Sequence, residues 1–227
     1  MIRTILQISL EPAQFRIGIL GFVTAFVVAM VVMPLLMNII KRFDLYDLPD
    51  LRKEHKEPVP TMGGVAVCIG MAVACMLWYR FTNDLFVIAF FFSMVIFFAL
   101  GVLDDLHNIT ARSKLVIQLA VASLIAFSGV RVTDLNGLFG ITSIPVAAQY
   151  LLTIIIIAGV TNAFNLIDGI DGLAGGLGFM SLLMLGLFLT LSNDANTALI
   201  AFALAGGLLG FLYYNFNPAR IFMGDTG

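Results

Sequence analysis

Charge is what this chain has least of. Its 227 residues include 12 Lys and Arg and 14 Asp and Glu, so 11% is charged against 60% hydrophobic. At a mean hydropathy of +1.03, the apolar content exceeds what a soluble domain can bury around one core. Cysteine is nearly missing too: Cys68 and Cys75 share one apolar run, cannot bridge within one helix and form no C-x-x-C, so they are expected only to pack. There is no basic run that would suggest nucleic acid, and none is expected as a partner. There is no G-x-x-x-x-G-K-[ST] loop, so any phosphate or metal must be held by other groups. Arg3, Glu11 and Arg16 precede a full-length apolar run without a small-residue cleavage site, so the first span is expected to be retained.

What is present is apolar and interrupted at intervals. Charge-free runs cover 17–40, 58–79, 85–103, 115–130, 135–167, 172–193 and 195–219, most near the roughly 20 residues that cross a bilayer. The runs do not alternate as the strands of an outer-membrane barrel do, and backbone groups in hydrocarbon must be paired within the segment. The expectation is an all-α polytopic transmembrane bundle of about seven spans, forming one integral-membrane domain over 1–227.

Seven spans place the segments 41–57, 104–114, 161–176 and 215–227 on one face. That face holds eight of the twelve basic residues: Lys41, Arg42, Arg52, Lys53, Lys56, Arg112, Lys114 and Arg220. The positive-inside tendency makes it cytoplasmic. It also holds ten of the fourteen acids, among them Asp44, Asp47, Asp50, Asp104, Asp105, Asp168, Asp171 and Asp225, and both histidines, His55 and His107. Carboxylates are barely sorted by that tendency; their accumulation points to one site assembled from several loops, against the plainer reading that cytoplasmic loops are simply more polar.

Three segments carry the chemistry. In "GVLDDLHNITARSK", Asp104 and Asp105 repel each other unless a cation or proton intervenes, and such hard oxygens suit Mg²⁺ or Mn²⁺. Lys114 is a point charge suited to phosphate, its plain alternative being a lysine snorkelling to headgroups. In "NAFNLIDGIDGLAGG", Asn162, Asn165, Asp168 and Asp171 recur every three residues; on one α-helix the last three would cover about 120° of a face, while the glycines at 169, 172, 175 and 176 can break the helix and admit a ligand to the backbone. In "NFNPARIFMGDTG", Pro218 ends a helix, Arg220 offers a phosphate contact and Asp225 stands in a turn. Positive-inside anchoring explains the lysines of "RKEHKEPVPTMGG" but not Thr61-Met62-Gly63-Gly64. "GGLLG", Gly206 to Gly210, allows close helix packing, within a bundle or between the subunits of a homodimer.

"DLPDLRKEHKEPVPTMGG", "LDDLHNITARSK", "NAFNLIDGIDGLAGG" and "NPARIFMGDTG", in this order over about 41–227, resemble the polyprenyl-phosphate N-acetylhexosamine-1-phosphate transferase family. "NAFNLIDGIDGL" and "RKEH" look closer to its GlcNAc branch, whereas "PTMGG" is common in the phospho-MurNAc-pentapeptide branch. The resemblance implies a bacterial plasma-membrane enzyme facing the cytoplasm. Its acceptor, undecaprenyl or another polyprenyl phosphate, attacks the β-phosphorus of a UDP-N-acetylhexosamine, releases UMP and starts a lipid-linked envelope glycan. It further implies Asn165 and Asp225 as Mg²⁺ ligands, Lys114 on the pyrophosphate, and Asp171 and Phe222 on the uridine. Asp104 and Asp105 would position or deprotonate the lipid phosphate, Asp168 would support the nucleotide and metal, and Asn108 would contact substrate. Family members continue past Gly-Asp-Thr-Gly, so the chain is expected to be an incomplete copy. A membrane prenyltransferase is disfavoured because "LHNIT" after Asp104-Asp105 supplies no further acid; a cation-coupled transporter is disfavoured because the acids cluster at span ends rather than at the bilayer midplane.

Overall fold

The computed structural model describes residues 12–42, 46–47, 59–82, 84–107, 109–135, 137–140 and 142–227. Seven α-helices occupy the described residues: α1 (Pro12–Arg42), α2 (Gly63–Trp78), α3 (Leu85–His107), α4 (Ala111–Phe127), α5 (Val146–Ile167), α6 (Leu173–Leu191) and α7 (Ala195–Asn215). A two-residue antiparallel ladder, β1 (Tyr46–Asp47) with β2 (Val59–Pro60), is the one strand pairing among them. The fold is thus helical and polytopic. α1, α3, α5, α6 and α7 are long and apolar enough to cross a membrane, whereas α2, at 16 residues, is a shorter apolar helix; α4, at 17 residues with Arg112 and Lys114 in its first turn, is also short of a straight crossing.

The longest charge-free run, 135–167, exceeds its α-helix by the widest margin. Among its described residues the α-helix covers Val146–Ile167; before it Leu138–Gly140 forms a 3₁₀ turn that follows Gly137, and Gly137 and Gly140 both lie in the left-handed region at φ 81° and 76°. Such glycines end regular helix, and Pro145 then marks where it resumes.

The described residues fall into two compact units. The first comprises those up to residue 80, with 168–225 and 227; the second comprises 81–167 and 226. In the first, α7 is central and packs against α1, α2 and α6. Its glycines permit this: a Cβ on Gly206 would lie 2.1 Å from the Phe22 carbonyl oxygen, one on Gly207 3.1 Å from the Val67 side chain, and one on Gly210 2.9 Å from Ala29 Cβ. "GGLLG" therefore serves packing inside this unit. α1 mirrors it, turning Ala25, Ala29 and Met33 inward and Val23, Val27, Val31 and Leu35 outward. Small residues inside and large apolar ones outside is the pattern of a helix packed in lipid. Cys68 and Cys75 are free thiols within α2, as expected.

The second unit is a chain of neighbours, α3 on α4 and α4 on α5. Where α4 hands over to α5, the Arg131 guanidinium lies 4.8 Å from the Tyr150 ring centroid and the Val132 N–H donates to Thr153 Oγ1 at 3.0 Å.

Candidate functional site

In the second unit the link between α3 and α4 is built around one carboxylate. Thr110 caps α4, its Oγ1 accepting the Ser113 N–H at 3.3 Å; this starts the helix where its first turn carries Lys114. Asp104, buried at 5% exposure on the last turns of α3, accepts the Ile109 N–H on Oδ1 at 2.7 Å and pairs through Oδ2 with the Lys114 ammonium. A buried carboxylate is tolerable only when its oxygens are satisfied in this way. Asp105 follows it and is half-buried, and His107 ends the helix exposed. Asn108 lies outside the described residues, as do His55 and "RKEHKE". Asn162 and Asn165 are exposed on the last turns of α5.

The helical polar stripe does not extend to the aspartates. α5 ends at Ile167, and Asp168 to Gly172 form a turn that leads to α6 through Gly172 at φ 71°. Asp168 and Asp171 belong to the first unit, while Asn162 and Asn165 belong to the second. The glycines at 169 and 172 supply the physical reason, since a helix that would align all four residues is interrupted there.

In the first unit this turn grips the last segment of the chain. Asp171 Oδ2 accepts the Ala219 N–H at 2.9 Å, and Asp168 Oδ2 accepts the Gly224 N–H at 3.1 Å, immediately before Asp225. The other edge of the same strip is held by "VPTMGG". Phe222 N–H donates to the Pro60 carbonyl at 2.8 Å, while Gly63 and Gly64 N–H donate to the Phe222 and Met223 carbonyls at 2.9 and 2.8 Å. These two amides open α2, so the strip satisfies donors that a helix start otherwise leaves unpaired. Thr61-Met62-Gly63-Gly64 thereby finds its explanation. Met62 is left-handed at φ 78°, and a Cβ on Gly63 would lie 2.8 Å from the Phe222 oxygen. The Phe222 side chain is buried with Val59 and Ala219. Arg220 is exposed, its N–H donating to the Tyr214 carbonyl at 2.9 Å.

Asn215 was not singled out by the sequence. It is 2% exposed, accepts the Gly172 N–H on Oδ1 at 2.9 Å and donates from Nδ2 to the Ile221 carbonyl at 2.9 Å. One amide thus joins the Asp168–Gly172 turn to the terminal strip. The available signal was an asparagine, not a glycine, closing an apolar helix before Asn-Pro.

Among the described residues no three His, Cys, Asp or Glu side chains converge as a ready-made metal cage. Mg²⁺ seldom needs one, since it usually keeps several waters and takes one or two carboxylates together with substrate phosphates. The Asp168–Gly224 bond ties the turn to the residue before Asp225, and Asp225 carries hard carboxylate oxygens of the kind Mg²⁺ prefers. The donor chemistry fits that ion.

Comparison with known proteins adds the following. The pattern of the family described as glycosyl transferase family 4 matches residues 86–227. Over 219 residues, 96% of this chain and 61% of the relative, the sequence is 34% identical to a protein of Bacillus subtilis (strain 168) named probable undecaprenyl-phosphate N-acetylglucosaminyl 1-phosphate transferase. It is 36% identical over 218 residues, 81% of this chain and 60% of the relative, to a phospho-N-acetylmuramoyl-pentapeptide-transferase of Campylobacter curvus (strain 525.92). A protein with that same name from Listeria monocytogenes serotype 4b (strain CLIP80459) is 30% identical over 228 residues, 91% of this chain and 69% of the relative. The chain spans about three fifths of the length of the first two.

Proposed function

Since the chain belongs to glycosyl transferase family 4, we propose that it transfers an N-acetylhexosamine-1-phosphate, GlcNAc-1-phosphate in the first instance, from a UDP-sugar to undecaprenyl or a similar polyprenyl phosphate. A phosphate oxygen of the lipid attacks the β-phosphorus of the UDP-sugar; the bond to UMP breaks and UMP leaves. The observation that most supports this reading is the clasp of Asp168 and Asp171 on Gly224 and Ala219, which fixes the backbone around Asp225 in a membrane protein. Mg²⁺, the proposed ion with Mn²⁺ as substitute, supplies charge neutralisation at phosphate oxygens when bound, with Asn165 and Asp225 as its proposed ligands.

The chain's own groups do the rest. Lys114 leaves Asp104 to meet the pyrophosphate, where a fixed positive charge favours the transition state over the ground state. Asp105 and Asp104 orient the lipid phosphate and take up its proton. Asp171 and Phe222 hold the uridine, Asp168 supports the strip that carries Asp225, and Asn108 contacts substrate. The motif-bearing segments face the cytoplasm of the bacterial plasma membrane, where nucleotide sugars are dissolved. Purified protein given UDP-GlcNAc, undecaprenyl phosphate and Mg²⁺ should release UMP and form a lipid pyrophosphoryl sugar; UMP release that proceeds equally fast without lipid would show a nucleotide-sugar hydrolase instead. The Campylobacter and Listeria relatives and "PTMGG" favour a second reading, phospho-MurNAc-pentapeptide transfer; UDP-MurNAc-pentapeptide replacing UDP-GlcNAc as the faster donor would establish it.

A further inference from the structure

Gln118 lies on α4 four residues after Lys114, and this inference about it rests on the transfer reading above. It is 4% exposed, and among the described residues its Oε1 is buried without a hydrogen-bond partner. Buried amides without partners are uncommon, above all inside a charge-free apolar run, where no bulk water relieves them. Its place on the helix gives the reason. Residues four apart share a helix face, and the Lys114–Asp104 pair turns that face toward the end of α3. Leu115, Val116 and Leu119 are the exposed residues of the same turns. A helical side chain covers the turn before its own Cα, so the Gln118 amide is carried back beneath Lys114.

We propose that Gln118 is a further substrate-binding residue, its amide taking an oxygen of the acceptor lipid's phosphate. The amide suits either protonation state of a phosphate monoester: Oε1 accepts from a P–OH, and a half-turn of the amide presents Nε2–H to a P–O⁻. Depth selects the lipid over the nucleotide. Gln118 is one turn, about 6 Å, further into the apolar run than Lys114. A lipid phosphate enters with its prenyl chain in the bilayer, whereas a soluble nucleotide sugar arrives from water. Ser93 Oγ is also buried without a partner, but it stands eleven residues before Asp104, three turns deeper along α3, beyond the reach of the same phosphate.

The test uses thermal melting of the purified protein in detergent, with undecaprenyl phosphate, undecaprenol or UDP-GlcNAc as probe. Gln118→Met keeps the volume and removes the unpaired amide, so without ligand it should melt above the parent. Its affinity for undecaprenyl phosphate should be at least about tenfold weaker, the scale of a lost hydrogen bond to a charged group, with UDP-GlcNAc binding unchanged and undecaprenol inert for both proteins. Gln118→Glu, which keeps the shape but repels phosphate, should lose lipid affinity as well, so the proposal does not hang on one variant. An unaltered undecaprenyl phosphate response in either folded variant overturns the assignment, as does a selective loss of UDP-GlcNAc binding. A lower melting temperature for Gln118→Met with the lipid response intact marks a structural amide and overturns it too. No response of the parent to undecaprenyl phosphate refutes the transfer reading itself.

Discussion

The carboxylate of Asp171 reaches across 48 residues of sequence to accept the Ala219 N–H at 2.9 Å, so an acid proposed for uridine binding also fastens the segment that carries Asp225. Two substitutions separate these tasks. Asp171→Asn keeps an acceptor for Ala219 and should fold with near-parental stability, while the KM for the UDP-sugar rises. Asp171→Ala strands the Ala219 N–H and should cost about 1–3 kcal/mol, visible as a lower melting temperature in detergent. If both variants melt alike and well below the parent, the charge of Asp171, not its acceptor oxygen, holds the strip.

Asn215 gives a sharper version of the same experiment, because both ends of its amide are used. Asn215→Asp retains the acceptor for Gly172 but sets a carboxylate oxygen against the Ile221 carbonyl. Asn215→Leu removes both bonds in a site only 2% exposed. Both should destabilise the protein by about 2 kcal/mol or more, since each leaves buried polar groups unmatched. Limited proteolysis after Arg220 should accelerate in both, and unchanged cleavage would show that the strip is held without Asn215.

The helices were legible in the sequence because charge is scarce: each run without Lys, Arg, Asp or Glu contains one helix. The site was legible in its residue types and only partly in its geometry. The every-third-residue spacing of Asn165, Asp168 and Asp171 suggested one helical face, yet Gly169 and Gly172 break the helix and the aspartates turn to bind backbone 48 and 56 residues away. No local pattern announces bonds of that range. "GGLLG" was ambiguous for a related reason: small residues signal a close approach without naming the partner, and Phe22, Val67 and Ala29 are identified only by the packing.

Those approaches are testable with single methyl groups. Gly206→Ala would set Cβ 2.1 Å from the Phe22 oxygen and Gly63→Ala 2.8 Å from the Phe222 oxygen, backbone atoms that cannot step aside. Each should lose about 1–3 kcal/mol from overpacking. Gly159→Ala meets nothing within 4 Å on α5 and should gain up to about 1 kcal/mol from better helix propensity. Melting in detergent orders the three, and a parental melting temperature for Gly206→Ala would mean that α1 and α7 are further apart than described.

The proposed orientation is tested at two exposed positions flanking α6, Gly169 and Ser192. With Cys68 and Cys75 replaced by alanine, Gly169→Cys should react with an impermeant thiol reagent only when the cytoplasmic side is open, and Ser192→Cys only from outside. Labelling of both from one side would remove α6 as a span and with it the proposed cytoplasmic placement.

The proposed metal ligand and the proposed phosphate-binding lysine make different demands, which added Mg²⁺ can tell apart. Asp225→Asn keeps the shape of the turn but weakens the proposed hard-cation ligand, so its defect should shrink as Mg²⁺ is raised. Lys114→Ala removes the proposed phosphate charge instead, and it also takes the ammonium away from buried Asp104, so extra metal should restore little. Each should slow UMP release by about a hundredfold or more, the scale of one well-placed electrostatic stabiliser, roughly 3–4 kcal/mol. Asp104→Asn combined with Lys114→Ala removes the buried charge that Lys114 balances and should recover stability without recovering rate. Equal rescue of Asp225→Asn and Lys114→Ala by Mg²⁺ would mean that the two residues do not divide metal and phosphate between them; rates above about half of the parent in both folded variants would remove them from the reaction altogether.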